Sequence, residues 1–169
     1  MDNEDSLEMN LSGFELHTVC VGHGKGLATC FRKEKFKHCS DVKFPNIQLT
    51  KLSSASVDVI SVYKSKDGSL LTLAELIVNM VDPDKTTLIC GDFNICLRTN
   101  RRNLLREQLE ILGFSQQVKE ATHLQGGLID HVYYKKGKVD SKVDVSLYSP
   151  YYTAFDHDAI LTVLEITQG

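Results

Sequence analysis

Gly91-Asp92-Phe93-Asn94 decides how this chain is read, together with Phe155-Asp156-His157-Asp158 near its end. The apolar run Thr87-Leu88-Ile89-Cys90 precedes the first cluster, and Ala159-Ile160-Leu161-Thr162-Val163-Leu164 follows the second. Each places carboxylates, an amide or an imidazole at the tip of a buried strand, where a rigid scaffold can hold polar groups against a substrate. A third stretch, Leu128-Ile129-Asp130-His131-Val132-Tyr133-Tyr134, sets an acid inside another β-type run. The three together point to metal-assisted hydrolysis of a phosphate ester.

Composition bounds the rest. At 169 residues with 42% apolar content, the chain can build one core. A net charge of −3 neither demands nor excludes nucleic acid, because a basic patch can sit on an acidic protein. No apolar stretch is long enough to span a membrane, and the acidic start Met1-Asp2-Asn3-Glu4-Asp5 is the opposite of a secretory or mitochondrial signal. The expected address is intracellular, nucleus or cytoplasm. The five cysteines are odd in number and lack CxxC spacing, so free, mostly buried thiols are expected. Cys20, His23, Cys30, His38 and Cys39 could be gathered into a zinc site. Their spacings match no standard knuckle, and Cys30 and Cys39 fall in β-patterned stretches, so core packing and loop histidines are the preferred reading.

Along the chain, β-branched and aromatic runs predict strands at residues 14–21, 26–32, 46–52, 57–63, 86–90, 128–134, 143–148 and 159–166. Ser69 offers an N-cap for a helix to about Val81, with Leu73, Ile77 and Met80 along one face and Pro83 as its stop. A second helix is predicted from about Asn100 to Leu112, striped by Leu105, Leu109 and Leu112 and ended by Gly113. Its other face carries Arg101, Arg102 and Arg106, either a solvated surface or an edge that contacts phosphate. Gly22-His23-Gly24-Lys25-Gly26 fits neither the Walker spacing nor GxGxxG before a helix, and reads as a hairpin loop. No repeat or linker divides the chain. It is expected to form one domain over 13–169 behind an acidic lead-in over 1–12.

The order of strand-GDFN, helix, strand with Ile-Asp-His-Val-Tyr, then Asp-His before a last apolar strand resembles the endonuclease/exonuclease/phosphatase superfamily. The match runs from about Gly13 to Ile166, and Thr122-His123 before Ile129-Asp130-His131-Val132 looks most like retroelement endonuclease domains. The resemblance implies an α/β, four-layer deoxyribonuclease I-like sandwich, with two mainly antiparallel sheets face to face and helices outside. It also assigns roles. Asp92 would orient or deprotonate the attacking water, and Asn94 would hold that water. His157 would contact the scissile phosphate, with Asp130 fixing its tautomer and favouring its charged form. Asp156, with Asp92, would bind Mg²⁺ or Mn²⁺. Tyr63 matches a phosphate-contacting position, and Arg98, Arg101 and Thr122 are candidate substrate contacts. The implied partner is DNA, with RNA possible, although the same family also cleaves inositol phosphates and phospholipids.

The departures are informative too. The family's early Asn and its metal-binding Glu should precede Gly13, where only Asn3, Glu4, Asp5 and Glu8 offer donors and no apolar strand leads into them. Phe155 stands where the family usually has Ser. An N-terminally truncated sandwich with two strands missing, unpaired edges and weak activity alone is therefore expected. Other classes fit less well. An HD-type phosphohydrolase built on His157-Asp158 with His123 or His131 would need helices where the pattern is β. A serine hydrolase would need a GxSxG elbow. The principal rival is a non-catalytic nucleic-acid- or protein-binding domain of the same fold.

Overall fold

A computed structural model describes residues 12–20, 26–149 and 156–167. Ten strands and two helices follow in the order β1 (Phe14–Cys20), β2 (Gly26–Arg32), β3 (Lys37–Phe44), β4 (Ile47–Ser53), β5 (Val57–Lys64), α1 (Leu70–Met80), β6 (Thr86–Asp92), α2 (Leu104–Ile111), β7 (Ser115–Gln116), β8 (Asp130–Lys135), β9 (Ser141–Tyr148) and β10 (Ala159–Ile166). A six-stranded sheet runs β3-β4-β5-β6-β8-β7. It is antiparallel except between β5 and β6, where the α1 crossover makes the pair parallel.

Alternation of side chains divides that sheet into two faces. One carries Ile47, Leu49, Ile60, Val62, Ile89 and Tyr133 against Leu73, Ala74 and Ile77 of α1 and Leu105 and Leu109 of α2. The other face is covered by two separate antiparallel ribbons, β1-β2 and β9-β10. The β9-β10 ribbon brings Val145, Leu147 and Ile160 onto Leu88, Cys90 and Val132, while β2 packs over β4 and β5. The architecture is thus a two-sheet α/β sandwich of the deoxyribonuclease I-like type. Among the described residues both helices lie outside the six-stranded sheet, and the two ribbons share no hydrogen-bonded edge.

Local chemistry sets the helix ends. The Ser69 side chain accepts from Thr72 N at 3.2 Å, capping α1 as expected. The start of α2 is later than predicted. Asn103, not Asn100, is its N-cap and accepts from Arg106 N at 2.9 Å, because residues before it form turns. Gly113 ends it at φ +96°.

Two strands lie outside the predicted strand ranges, although Cys39 of β3 was read as β-patterned. β3 is a polar edge strand whose side chains are mostly exposed, so it shows no alternation, and β7 has only two residues. The thiol expectation also needs correcting. All five cysteines are free, but Cys20, Cys30 and Cys39 are exposed and Cys90 and Cys96 half-buried. Cys20 and Cys30 belong to the outward-facing set of the β1-β2 ribbon, while Val19 and Phe31 point inward. The ribbon pairing does join β1 to β2 as a hairpin, although residues 21–25 lie outside the described residues. So do Asn3, Glu4, Asp5, Glu8 and Phe155.

Ile89 is fully buried at the centre of β6. Replacing it by alanine should cost about 2–5 kcal/mol through lost burial and the cavity left behind. A urea midpoint equal to that of the wild type would show that the strand bears little of the core.

Candidate phosphoryl-transfer site

Cross-strand register builds this site. Tyr63 pairs with Asp92, and Asp92 with Asp130, so the three form one row across β5, β6 and β8 on the face covered by the ribbons. Asp130 stands at the N-terminal start of β8, not inside the β-type run as expected. Antiparallel pairing to β6 brings that start to the same end of the sheet as the finish of β6. The opposite layer supplies Asp156 and His157 just before β10. Leu124 N donates to Asp156 O and Asp158 N to Thr122 O, each at 2.7 Å, stitching this lead-in to the loop ahead of β8.

His157 is the centre of the arrangement. Its Nδ1 lies 2.8 Å from Asp130 Oδ2, and a carboxylate can only accept, so Nδ1 carries the proton. Its Nε2 then faces Asp156 Oδ1 at 3.8 Å and Asp92 Oδ2 at 4.0 Å. Partial burial pushes the imidazole's pKa down. The Asp130 hydrogen bond and the charges of Asp130, Asp92 and Asp156 outweigh it and hold the group above the ordinary histidine value. Asp92 moves upward, first from burial and then from the Asp130 charge, against the lowering hydrogen bond from Asn94 N at 3.0 Å.

The other candidates fall into three groups. Tyr63 shares the row, and its hydroxyl has no hydrogen bond among the described residues. Asn94 sits at φ +49° and spends its Nδ2 on Lys64 O at 2.7 Å, shaping the loop, while its Oδ1 has no hydrogen bond among the described residues. Arg98 is exposed and donates to Gly126 O at 3.0 Å, which places it over the loop that carries His123. Arg101 is exposed ahead of α2, and Arg106 is tied to Glu110 at 3.1 Å. Thr122, expected to touch substrate, is fully buried. Its Oγ1 accepts from Ile129 N and Asp130 N at 3.3 and 3.2 Å, so it positions Asp130 from beneath.

Three further residues shape the site. His123 Nε2 lies 3.2 Å from Asp156 Oδ2, and its ring meets that of His157 edge-on at 4.9 Å. The Thr122-His123 dipeptide stood out in the sequence without any signal of that ring's direction. Lys64 is buried at the end of β5, close enough for the Asp92 charge to act on it. Desolvation nonetheless leaves its amine below the ordinary lysine value. The third, His131, is packed inside. It stacks on Phe93 at 4.7 Å, donates from Nε2 to Ile95 O and Leu128 O at 2.9 and 3.1 Å, and accepts from Tyr133 OH at 3.2 Å. It therefore pins the loop after β6 to β8.

Burial lowers the His131 pKa to about 4 from a free value of 6.5. The unfolded chain binds this proton between those values and the folded chain does not. The resulting contribution is complete above pH 6.5 and fades as pH falls towards 4, by up to about 3 kcal/mol. Urea midpoints at pH 7 and pH 5 should differ more in the wild type than in His131→Gln. Equal differences would show that His131 is not kept neutral by burial.

Metal fitness follows from the donor set. Asp92, Asp130 and His157 lie within mutual ligand distance, as do His123, Asp156 and His157. Carboxylate oxygens dominate, burial and then the charge on Asp130 raise the Asp92 pKa, and Asp156 is exposed, so the residues fit a divalent cation.

Fold and site together define a phosphoesterase-type scaffold. The chain belongs to the Endonuclease/Exonuclease/phosphatase family, whose model matches residues 14–153. No curated protein sequence matches it significantly. Among solved structures, the endonuclease domain of TRAS1, a telomere-specific non-LTR retrotransposon, is 14% identical with a TM-score of 0.59, over 91% of this chain and 78% of that one. Truncated Caenorhabditis elegans TDP2 is 15% identical with a TM-score of 0.60, over 91% and 75%. The Haemophilus ducreyi cytolethal distending toxin is 16% identical with a TM-score of 0.60, over 82% and 62%. At these identities the likeness establishes the fold. Among the described residues no helix is long and apolar enough to cross a membrane.

Proposed function

We propose that this site hydrolyses phosphodiesters of nucleic acid, DNA before RNA, with a divalent cation such as Mg²⁺ or Mn²⁺. One observation carries the reading. A single imidazole is oriented by one carboxylate at 2.8 Å and turns its free nitrogen towards two more, at 3.8 and 4.0 Å. That arrangement suits a cationic hydrogen-bond donor beside a general base.

Asp92 accepts the proton of the attacking water, and its upward pKa makes it a stronger base than an ordinary aspartate. The Asn94 Oδ1 orients that water. His157 donates from Nε2 to a phosphate oxygen as negative charge grows there, while Asp130 holds the ring in place. Asp156 and Asp92 would hold the cation, which supplies neutralisation of the phosphate oxygens. Tyr63 lies beside Asp92 for a further phosphate contact, and Arg98 and Arg101 offer charge for the strand to either side. The retrotransposon endonuclease likeness supports a nucleic acid over a lipid or an inositol phosphate.

A specific observation favours binding without turnover as the second reading. Asp92, Asp130 and Asp156 each already accept a protein hydrogen bond, from Asn94 N, His157 and His123 respectively, so these carboxylates are partnered within the protein. Incubation of supercoiled plasmid with the protein in millimolar Mg²⁺ or Mn²⁺ separates the two. Nicking that is abolished by EDTA and by Asp92→Ala supports hydrolysis. Salt-sensitive DNA binding with intact plasmid supports the binding domain instead.

A further inference from the structure

A second cluster of ligating side chains lies away from this site, where β1 meets the edge strand β3. His38 and Asp41 are three residues apart, which in a regular strand would send them to opposite faces. The register shows why they do not. His38 faces Leu52, Ser40 faces Lys51 and Asp41 faces Thr50, so Cys39 is an extra residue, a β-bulge. His38 and Asp41 therefore stand over Leu52 and Thr50 on one face, the face covered by the β1-β2 ribbon. His17, from the middle of β1, meets them there. His17 Nε2 lies 2.5 Å from Asp41 Oδ2, and His38 Nε2 lies 2.9 Å from Asp41 Oδ1. The two rings stack with centroids 4.0 Å apart and an interplanar angle of 30°. Thr50 Oγ1 donates to Asp41 Oδ1 at 3.1 Å.

We propose that His17, His38 and Asp41 form a binding site for a transition-metal ion of the zinc class, separate from the phosphoryl-transfer site. Two imidazole nitrogens and one carboxylate oxygen suit Zn²⁺ and its neighbours in the first transition row, whereas Mg²⁺ and Ca²⁺ seek all-oxygen sites. A tetrahedral ion with bonds of 2.0–2.1 Å holds its ligand atoms about 3.3 Å apart. His17 Nε2 stands 2.5 Å from Asp41 Oδ2 and His38 Nε2 2.9 Å from Asp41 Oδ1, and the ligand atoms of the three residues lie within 4.8 Å of one another, so small rotations of the carboxylate and rings bring one oxygen and both nitrogens to that spacing. The ion takes the place of the protons that the two Nε2 atoms now direct at Asp41. Each neutral ring then carries its single proton on Nδ1 instead of Nε2, any proton beyond that passes to solvent, and water completes the tetrahedron. Thr50 fixes the carboxylate from behind, as partners of metal ligands commonly do. The three side chains are 25%, 31% and 29% exposed, which leaves an entry path. β3 lies three strands from β6, or about 14 Å at normal strand spacing, so the ion would not share ligands with Asp92. Its physical effect is to fasten the β1-β2 ribbon to the edge of the six-stranded sheet. The ligand set differs from the cysteine-containing group weighed in the sequence. Cys20 and Cys30 face outward, and Cys39, the bulged residue, has its Sγ turned to its own strand's Lys37 O.

The test uses the whole chain stripped with EDTA and then titrated with Zn²⁺ by calorimetry and with Co²⁺ by absorbance. Expected is one equivalent of tight Zn²⁺, a tetrahedral Co²⁺ spectrum and a higher melting temperature with equimolar Zn²⁺. His17→Ala, His38→Ala and Asp41→Asn should each weaken binding by about a hundredfold or more, while Asp130→Asn/His157→Ala should retain it. His38→Cys should keep the ion and add a thiolate-to-cobalt charge-transfer band. That band identifies the ligand directly even if an alanine variant fails to fold. Binding no tighter than millimolar, a tight equivalent that survives Asp41→Asn and His38→Ala, or one lost only in Asp130→Asn/His157→Ala would overturn the proposal.

Discussion

Replacing His157 by alanine is expected to slow phosphodiester cleavage by about 10²–10⁴-fold, the usual worth of a positioned proton donor. The effect should fall mainly on kcat, because a charge-assisted hydrogen bond strengthens as the phosphate oxygens gain charge. Asp130→Asn gives the sharper readout. Its carboxylate helps hold the His157 pKa above the ordinary value, and His157 must be protonated to donate. Removing that charge lowers the pKa, so the alkaline limb of the rate profile should move to lower pH. Two results would remove His157 from the chemistry: cleavage unaffected in His157→Ala, or an unmoved alkaline limb in Asp130→Asn.

The second large effect is structural. Gly91 has φ +149° and faces Val62 across the parallel pair β5-β6. A Cβ built there would lie 1.8 Å from the Val62 carbonyl oxygen, a backbone atom that cannot swing aside. Gly91→Ala should therefore destabilise by on the order of 3–5 kcal/mol or prevent folding, since strain and overpacking act together. Circular dichroism and urea unfolding would measure it. A loss below about 1 kcal/mol would mean that the two strands can part at no great cost. If the variant folds, Asp92 should be displaced and cleavage should fall with it.

These two residues belong to the motifs that the sequence makes visible, yet their legibility differs. Asp92, Asp130 and His157 could be picked out because each stands beside a β-patterned run, and a polar group at a strand tip has few purely structural uses. Gly91 was visible only as part of the same motif. The reason for a glycine there is the oxygen of Val62, a residue 29 positions away in sequence. Thr122 was misread for a related reason. A hydroxyl next to a histidine looks like a substrate contact, but the fold buries it under β8, where two backbone amides need an acceptor.

Much of the framework follows from local pattern. β2 and β10 begin and end where the apolar runs do, and Ser69 and Gly113 mark helix ends because capping geometry is set within a few residues. The succession of most strands along the chain, the presence of α1 between two of them and the approximate place of each acidic group follow from those local preferences. Tertiary structure alone decided three things. It joined Tyr63, Asp92 and Asp130 into a row through strand register, which is a pairing between distant segments. It chose which histidines meet carboxylates and which, like His131, are shut in the core as neutral hydrogen-bonding groups. It also turned His38 and Asp41 to one face through the Cys39 bulge, because side-chain parity in a strand depends on what the partner strand leaves unpaired.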